Sequence, residues 1–424
     1  MPESRYRVLA IASHPIQYGA PVFRLLAQHP QLDFHVAYCS LRGAEATHDP
    51  EFGAIVKWDI PLLDGYAWTH VPNRGSGAES FCGLRNAGLW KLVREGEFDA
   101  VICHVGYVRA SFWIGYLAAA SRGIPFIFGT DASMIEPRDG RAWKHISKRI
   151  AWPLLFRLAG QVLTASSAGY DMMRSLGIPE DRISMTLDTV DNDWWVAQAA
   201  QADCGGARAS WGVDAKEKII LFCGKLQPWK RPLDVLRAFA KALIPRATLV
   251  FAGEGPLRSH IEAEASVLGV RERVRIMGFV NQSQLPAVYR ASDLMVIPSE
   301  YEPFGLVVNE AMLCGCPVVA SDKVGAVGDL IDHDLTGFIY PCGDVPALAA
   351  VIQRAFADSA RLSIMSNAAF ARIGGWSPRA SVAALVDAVT RAVARSGRVP
   401  KDAGATAVEP SAAAKPSLPT ARRS

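Results

Sequence analysis

Two glutamates, Glu302 and Glu310, stand with seven residues between them in SEYEPFGLVVNEAMLCGCPVVAS, the stretch from Ser299 to Ser321. Paired carboxylates can ligate a metal, work as an acid and a base, or accept hydrogen bonds from a polyol. LMVIPSE reads as a strand that ends near Pro298, and VVNEAML reads as part of a helix that begins about Phe304. Between them, EPFG brings the backbone of Phe304, Gly305 and Leu306 to a helix N-terminus, where unsatisfied N–H groups favour an anion. Gly305 lets a ligand approach that backbone closely. Glu302 precedes the helix and Glu310 lies about two turns inside it, so the pair flanks one cleft at two depths.

A second place for negative charge lies upstream. In IILFCGKLQPWKRPLDVLRAF a strand ends at Gly224, and Lys225 and Lys230 follow in a loop closed by a helix. Two ammonium groups at that spacing, opposite a helix N-terminus, suit a diphosphate; the plainer reading is a solvated basic loop. FAGEGPL, from Phe251, is a third strand end, whose glycines make a tight turn. Ligands of open parallel sheets sit at such carboxyl ends of strands.

The elements that must position these residues alternate. YRVLAIAS, DFHVAY, FDAVICH, PFIFGT and QVLTAS are short apolar runs, each followed by a turn or helical pattern. The rhythm restarts at KIILFCG and continues through ATLVFAGEG, RVRIMGF, LMVIPSE and PVVAS. Such alternation predicts an α/β class with parallel sheets and crossover helices, and the restart predicts two domains. The polar, Gly/Ala-rich AQAAQADCGGARAS, 197–210, reads as the linker and sets the domains at residues 1–200 and 201–376. SPRASVAALVDAVTRAVARS reads as a helix over 377–396 with Ser-Pro at its start. The tail, 397–424, is rich in Ala, Pro, Ser and basic residues and is expected to be disordered.

A chain of 424 residues exceeds one ordinary domain, and 50% hydrophobic with 20% charged residues supplies two cores. The formal charge of +4 sits mostly in the tail, which leaves the body near neutrality. That body lacks the clustered basic stripe of a nucleic-acid surface. Eight cysteines are scattered through apolar segments and no secretory leader opens MPESRYRVLAIAS, so reduced thiols in a cytoplasmic protein are expected. Cys314 and Cys316, spaced C-x-C without a second pair, read as packing residues and not a zinc site. The run from Phe112 to Gly129 contains Arg122 and internal glycines and reads as helix, turn and strand, not as a membrane span.

GKLQPWKRP, FAGEGPL, MGFV and PSEYEPFGLVVNEAMLCGCPVVAS, in that order and spacing, resemble the GT-B glycosyltransferases of family 4. The likeness runs over residues 6–395, and Glu302 and Glu310 match that family's E-x7-E signature. The resemblance implies two facing Rossmann-like domains with a cleft between them and a C-terminal helix that crosses back. It implies retaining transfer of a sugar from a nucleotide-diphosphate sugar to an acceptor that is a glycan, lipid-linked or a small molecule, with no cofactor and no required metal. Carried over residue by residue, Glu302 and the amides of Phe304, Gly305 and Leu306 hold the donor sugar, and Glu310 accepts from the ribose. Lys225 and Lys230 stabilise the leaving diphosphate, and the segment around Phe279 contacts the base. The position of Lys225 is often arginine in that family; lysine keeps the charge and gives up the bidentate fork. Gly19 stands where the family has a glycine loop near the donor phosphates, and His104 matches the histidine that contacts the transferred sugar. His14 and Asp131 also end strands and, with Tyr18, are candidates for acceptor binding; turn and capping roles are the alternative. ASHPIQY departs from the family's commoner glycine pair.

Asp191-Asn192-Asp193 has the look of a D-x-D metal motif of a different glycosyltransferase fold, but it precedes Trp194-Trp195 at a helix start, where aspartates cap. RAWKHISKRIAWPLLFRLAG, 141–160, is basic and carries tryptophans. Weak association with a membrane surface competes there with a helix whose basic face meets solvent or an anionic acceptor. Two other functions stand beside sugar transfer. One is a nucleotide-sugar epimerase on the same scaffold, which needs no acceptor; the other is a non-catalytic nucleotide-sugar-binding protein, against which the intact Lys225, Lys230, Glu302 and Glu310 count.

Overall fold

The structure is a computed structural model that describes residues 5–49, 53–135 and 141–398. The apolar runs form two sheets. The first has seven strands, in the order Ala67–His70, Leu32–Tyr38, Tyr6–Ala12, Ala100–Cys103, Phe126–Thr130, Val162–Thr164 and Ile183–Met185. The second has six, in the order Val274–Gly278, Ala247–Ala252, Lys218–Cys223, Leu294–Ile297, Val318–Ser321 and Phe338–Tyr340. Neighbouring strands in both sheets run parallel. Helices cover both faces, which is why Val8 to Ile11 and Ile219 to Leu221 are unbroken apolar runs with no exposed surface. In each sheet the first strand in sequence lies in the middle and the order reverses beside it. Loops at that reversal diverge and open a crevice. His14 follows one such strand and Lys225 the other, and both line the cleft between the domains.

The C-terminal helix, Pro378–Ser396, completes the first domain. Ser377 caps it, its Oγ accepting from the Ala380 N–H at 3.4 Å. Its Val382, Leu385, Val389 and Val393 share a buried cluster with Val8, Ala10 and Ile102 of the first sheet.

The stretch read as a linker is instead helical. Asp191 accepts from the Trp194 N–H at 3.1 Å and Asp203 from the Gly206 N–H at 2.8 Å, capping helices Asn192–Ala200 and Cys204–Ser210. Val190, Trp195, Ala199 and Trp211 are buried in the core of the second domain. Packing therefore divides the domains before Val190, not at residue 200. Two buried tryptophans outweigh the poor helix propensity of the glycines between them. Asp191 is thus a cap, and Asp193 pairs with Arg379 at 3.3 Å.

Cys314 and Cys316 sit in that same core, and all eight cysteines are free thiols. The expected disordered tail lies, from residue 399 on, outside the described residues. Among the described residues no helix is long and apolar enough to cross a membrane.

Candidate active site

The cleft holds two adjoining chambers, of about 440 and 410 Å³. Lys225, Lys230, Glu302 and the first turn of helix Leu306–Leu313 line the first. Gly305 starts that helix with φ 99°, in the left-handed region, and a Cβ there would lie 3.1 Å from Glu302 Cγ and 3.2 Å from Ile297 Cδ1. Only glycine makes this turn without strain. Beneath it, Phe304 stacks on Trp376 with centroids 5.4 Å apart, which anchors the turn to the second domain's core. The Val308 N–H donates to the Gly305 carbonyl at 2.8 Å, whereas those of Leu306 and Val307, ahead of it, lie where a ligand in the chamber can take them. Lys230 Nζ donates to Glu302 Oε2 in a half-buried ion pair, and Ser299 Oγ reaches the same oxygen at 3.4 Å.

Glu310 lies deeper. It is 1% exposed and lines neither chamber. The Tyr18 O–H donates to its Oε1 at 3.1 Å and the Tyr289 O–H to its Oε2 at 2.7 Å. Burial pushes its pKa from the ordinary 4.5 up to about 7, against the lowering effect of the two hydroxyl donors. Tyr18 belongs to the first domain and Glu310 to the second, so this hydrogen bond spans the cleft. Tyr18, expected on the acceptor side, lines both chambers and stands between Glu310 and the open cleft.

The second chamber belongs mainly to the first domain. His104 lines it, directly after strand Ala100–Cys103, with its ring 5.7 Å from that of Phe23. Burial lowers the His104 pKa to about 4, so the imidazole is neutral near pH 7. Gly19 opens helix Gly19–Gln28 and lines this chamber and not the first, where the donor phosphates were expected to meet it. His14, hydrogen-bonded through Nδ1 to Ser13 Oγ at 3.0 Å, lines both. Asp131 and Asp188 also line both, at the junction. Their carboxyls face the void of the cleft, Asp131 open to it and Asp188 half-buried, with protein around them on the other sides. Burial raises the pKa of each, and Asp131 raises that of Asp188 further.

Phe279 lines neither chamber. Its ring lies 5.9 Å from that of Trp58, and it is Trp58 that lines the first chamber. Trp58, Asp188 and Tyr289 escaped the sequence reasoning. Asp188 follows the three-residue strand Ile183–Met185 and would have been found as a strand-end residue had that strand been recognised. Tyr289 carries no motif, and only its bond to Glu310 shows its part. Among the described residues no group of three or more His, Cys, Asp or Glu is placed to hold a metal.

Residues 16–186 match the model of the glycosyl transferase 4-like domain, and residues 206–372 match that of glycosyl transferases group 1. The chain is a GT-B-fold protein built from those two glycosyltransferase domains. It is 38% identical over 185 residues to the uncharacterized glycosyltransferase MJ1607 of Methanocaldococcus jannaschii, covering 43% of this chain and 47% of that protein. It is 28% identical over 277 residues to the D-inositol 3-phosphate glycosyltransferase of Rhodococcus jostii, covering 61% and 60%. The matches thus span about half the length of these curated relatives. Among solved structures, Anabaena Alr3699/HepE in complex with UDP and glucose superposes with a TM-score of 0.69 at 20% identity, over 91% of this chain and 100% of the other. The sucrose-phosphate synthase of Thermosynechococcus elongatus gives 0.69 at 19% identity, over 92% and 100%. At such identities the likeness is one of fold.

Proposed function

We propose that the chain transfers a hexosyl group, with retention at the anomeric carbon, from a nucleotide-diphosphate sugar in the first chamber to an acceptor in the second. The convergence of Lys225, Lys230, Glu302 and the Gly305 helix start on one chamber carries this reading. It sets cations and N–H donors for a diphosphate beside a carboxylate for sugar hydroxyls. The solved structures of Anabaena Alr3699/HepE with UDP and with UDP-glucose support the donor class. As the anomeric C–O bond breaks, its electron pair leaves with the diphosphate, and the lysines and N–H groups stabilise that charge. The acceptor oxygen bonds to the anomeric carbon and its proton leaves with the nucleoside diphosphate. Glu302, held by Lys230, orients the sugar; neutral His104 supplies a hydrogen bond without charge.

Side-chain cations do the neutralising, so turnover should survive EDTA. A thermal-shift screen of nucleotide sugars tests the donor class, since a ligand at ~100 times its Kd adds about 2.7 kcal/mol. One donor is expected to stabilise the chain and to release nucleoside diphosphate in EDTA. Stabilisation by none, or full dependence on Mg²⁺ or Mn²⁺, would contradict the reading.

Helix Ala142–Phe156 is proposed to rest on an anionic lipid surface. Trp143, Ile146, Ile150 and Leu154 are 62%, 58%, 65% and 59% exposed and recur every three or four residues, while Trp152 and Phe156 are buried. From Arg141 to Gly160 the chain has five lysines and arginines and no acidic residue. An apolar stripe with basic flanks fits such a surface. Sedimentation with phosphatidylglycerol vesicles should be salt-dependent and lost in Ile146→Ser/Ile150→Ser. No binding at low salt would rule it out.

A further inference from the structure

Resting on that reading of the cleft, we propose that the second chamber takes an acceptor with no phosphate or other anionic group, an uncharged polyol whose hydroxyls are held by Asp131 and Asp188.

The two chambers differ in charge. Arg42, Lys225 and Lys230 line the first, where they offset Glu302, Asp131 and Asp188. Among the described residues lining the second there is no lysine or arginine; its ionisable side chains are Asp131, Asp188, His14, His104, Tyr18 and Cys103. A diphosphate is matched on one side of the junction, and among the described residues lining the other side no cationic side chain stands to neutralise an anion. The neutrality of His104 sharpens the contrast.

Asp131 and Asp188 are placed to meet a ligand. Among the described residues neither carboxyl has an ion-pair or hydrogen-bond partner. The Asp188 carbonyl accepts from Asn309 Nδ2 at 3.1 Å and from Trp376 Nε1 at 2.8 Å, both in the second domain, so its backbone is fixed at the junction. Two like charges facing one void without a partner repel each other until something comes between them. Desolvation raises the pKa of each, and the Asp131 charge raises that of Asp188 further, which favours a proton on one carboxyl of the pair. It then both donates and accepts, as hydroxyls require, whereas a phosphate would meet two acids and no cation.

Several relatives are named D-inositol 3-phosphate glycosyltransferases. Among the described residues, the chamber of this chain has no lysine or arginine to meet a phosphorylated acceptor.

The test uses the full chain saturated with a nucleoside diphosphate that itself raises the melting temperature. Neutral polyols and monosaccharides are added beside their phosphate esters, including myo-inositol with myo-inositol 3-phosphate and glucose with glucose 6-phosphate. At least one neutral compound should raise the melting temperature further, and its ester should not. Asp131→Asn/Asp188→Asn should weaken that neutral ligand by about tenfold or more. The same variant should bind the nucleoside diphosphate no more weakly and melt no lower than the parent, since it removes two carboxylates that repel each other and an anion. Stabilisation by an ester as strong as by its parent compound, by no neutral compound at all, or equally in the variant would overturn the proposal. Failure of every nucleoside diphosphate to bind would instead overturn the reading on which it rests.

Discussion

Glu310 is the least solvated acid of the site, and its surroundings make stability depend on pH in a defined direction. Its pKa is raised by folding, so between about pH 4.5 and 7 the folded state binds more protons than the unfolded one, and stability falls as pH rises. The contribution is roughly 3 kcal/mol across that window. Glu310→Gln should flatten the decline of melting temperature between pH 5 and 8, leaving the shares of Asp131 and Asp188. Tyr18 makes a second prediction. If a ribose hydroxyl comes to Glu310, it competes with the Tyr18 O–H for Oε1. Tyr18→Phe should therefore tighten nucleoside diphosphate binding while costing the unliganded protein about 1 kcal/mol. Weaker nucleotide binding in this variant would mean that Tyr18 itself contacts the donor.

At the scale of elements, the start of helix Leu306–Leu313 is the feature on which the donor side depends. Gly305→Ala forces a Cβ into the left-handed region and against Glu302 and Ile297, at a cost of order 1–3 kcal/mol. Turnover should fall more than stability does, because the N–H groups and Glu302 shift together. The same element shows what was legible beforehand. Central strands such as Tyr6–Ala12 and Lys218–Cys223 are buried on both faces and so advertise themselves as apolar runs. Ala67–His70 is an exposed edge, and Ile183–Met185 and Phe338–Tyr340 have three residues each, too short for any period to show. Glu302, Gly305, Lys225 and Lys230 could be read because one strand end and one loop hold them. Asp188 and Tyr289 could not, because only tertiary packing brings them to the cleft. Phe279, read as the base contact, lines neither chamber; Trp58, from the other domain, packs on it and lines the first, a pairing that no single segment shows.

At the scale of the molecule, the domains are fastened across the cleft at several points. Besides Tyr18 with Glu310, the Ser167 N–H donates to Asp329 Oδ2 at 3.0 Å, and Asn309 and Trp376 hold the Asp188 carbonyl. The returning helix Pro378–Ser396 joins the last residues of the second domain's chain to the core of the first. Leu385→Ala, at 2% exposure, should cost about 2–5 kcal/mol and lower the melting of the first domain. Two separate thermal transitions with only the second domain's affected would show that the helix docks elsewhere.

The central claim is a division of labour along one cleft, with Lys225, Lys230 and the helix start on the diphosphate, and Glu302 on the sugar. Calorimetric titration of the parent, Lys225→Ala and Glu302→Ala with free nucleoside diphosphate, beside their turnover of the whole donor, tests it most directly. Lys225→Ala should weaken the nucleotide by on the order of 1.5–3 kcal/mol, as a lost charged contact does. Glu302→Ala should leave nucleotide affinity nearly intact while turnover falls sharply, because the sugar is no longer oriented. Equal weakening of the nucleotide in both variants, or none in Lys225→Ala, would contradict the account.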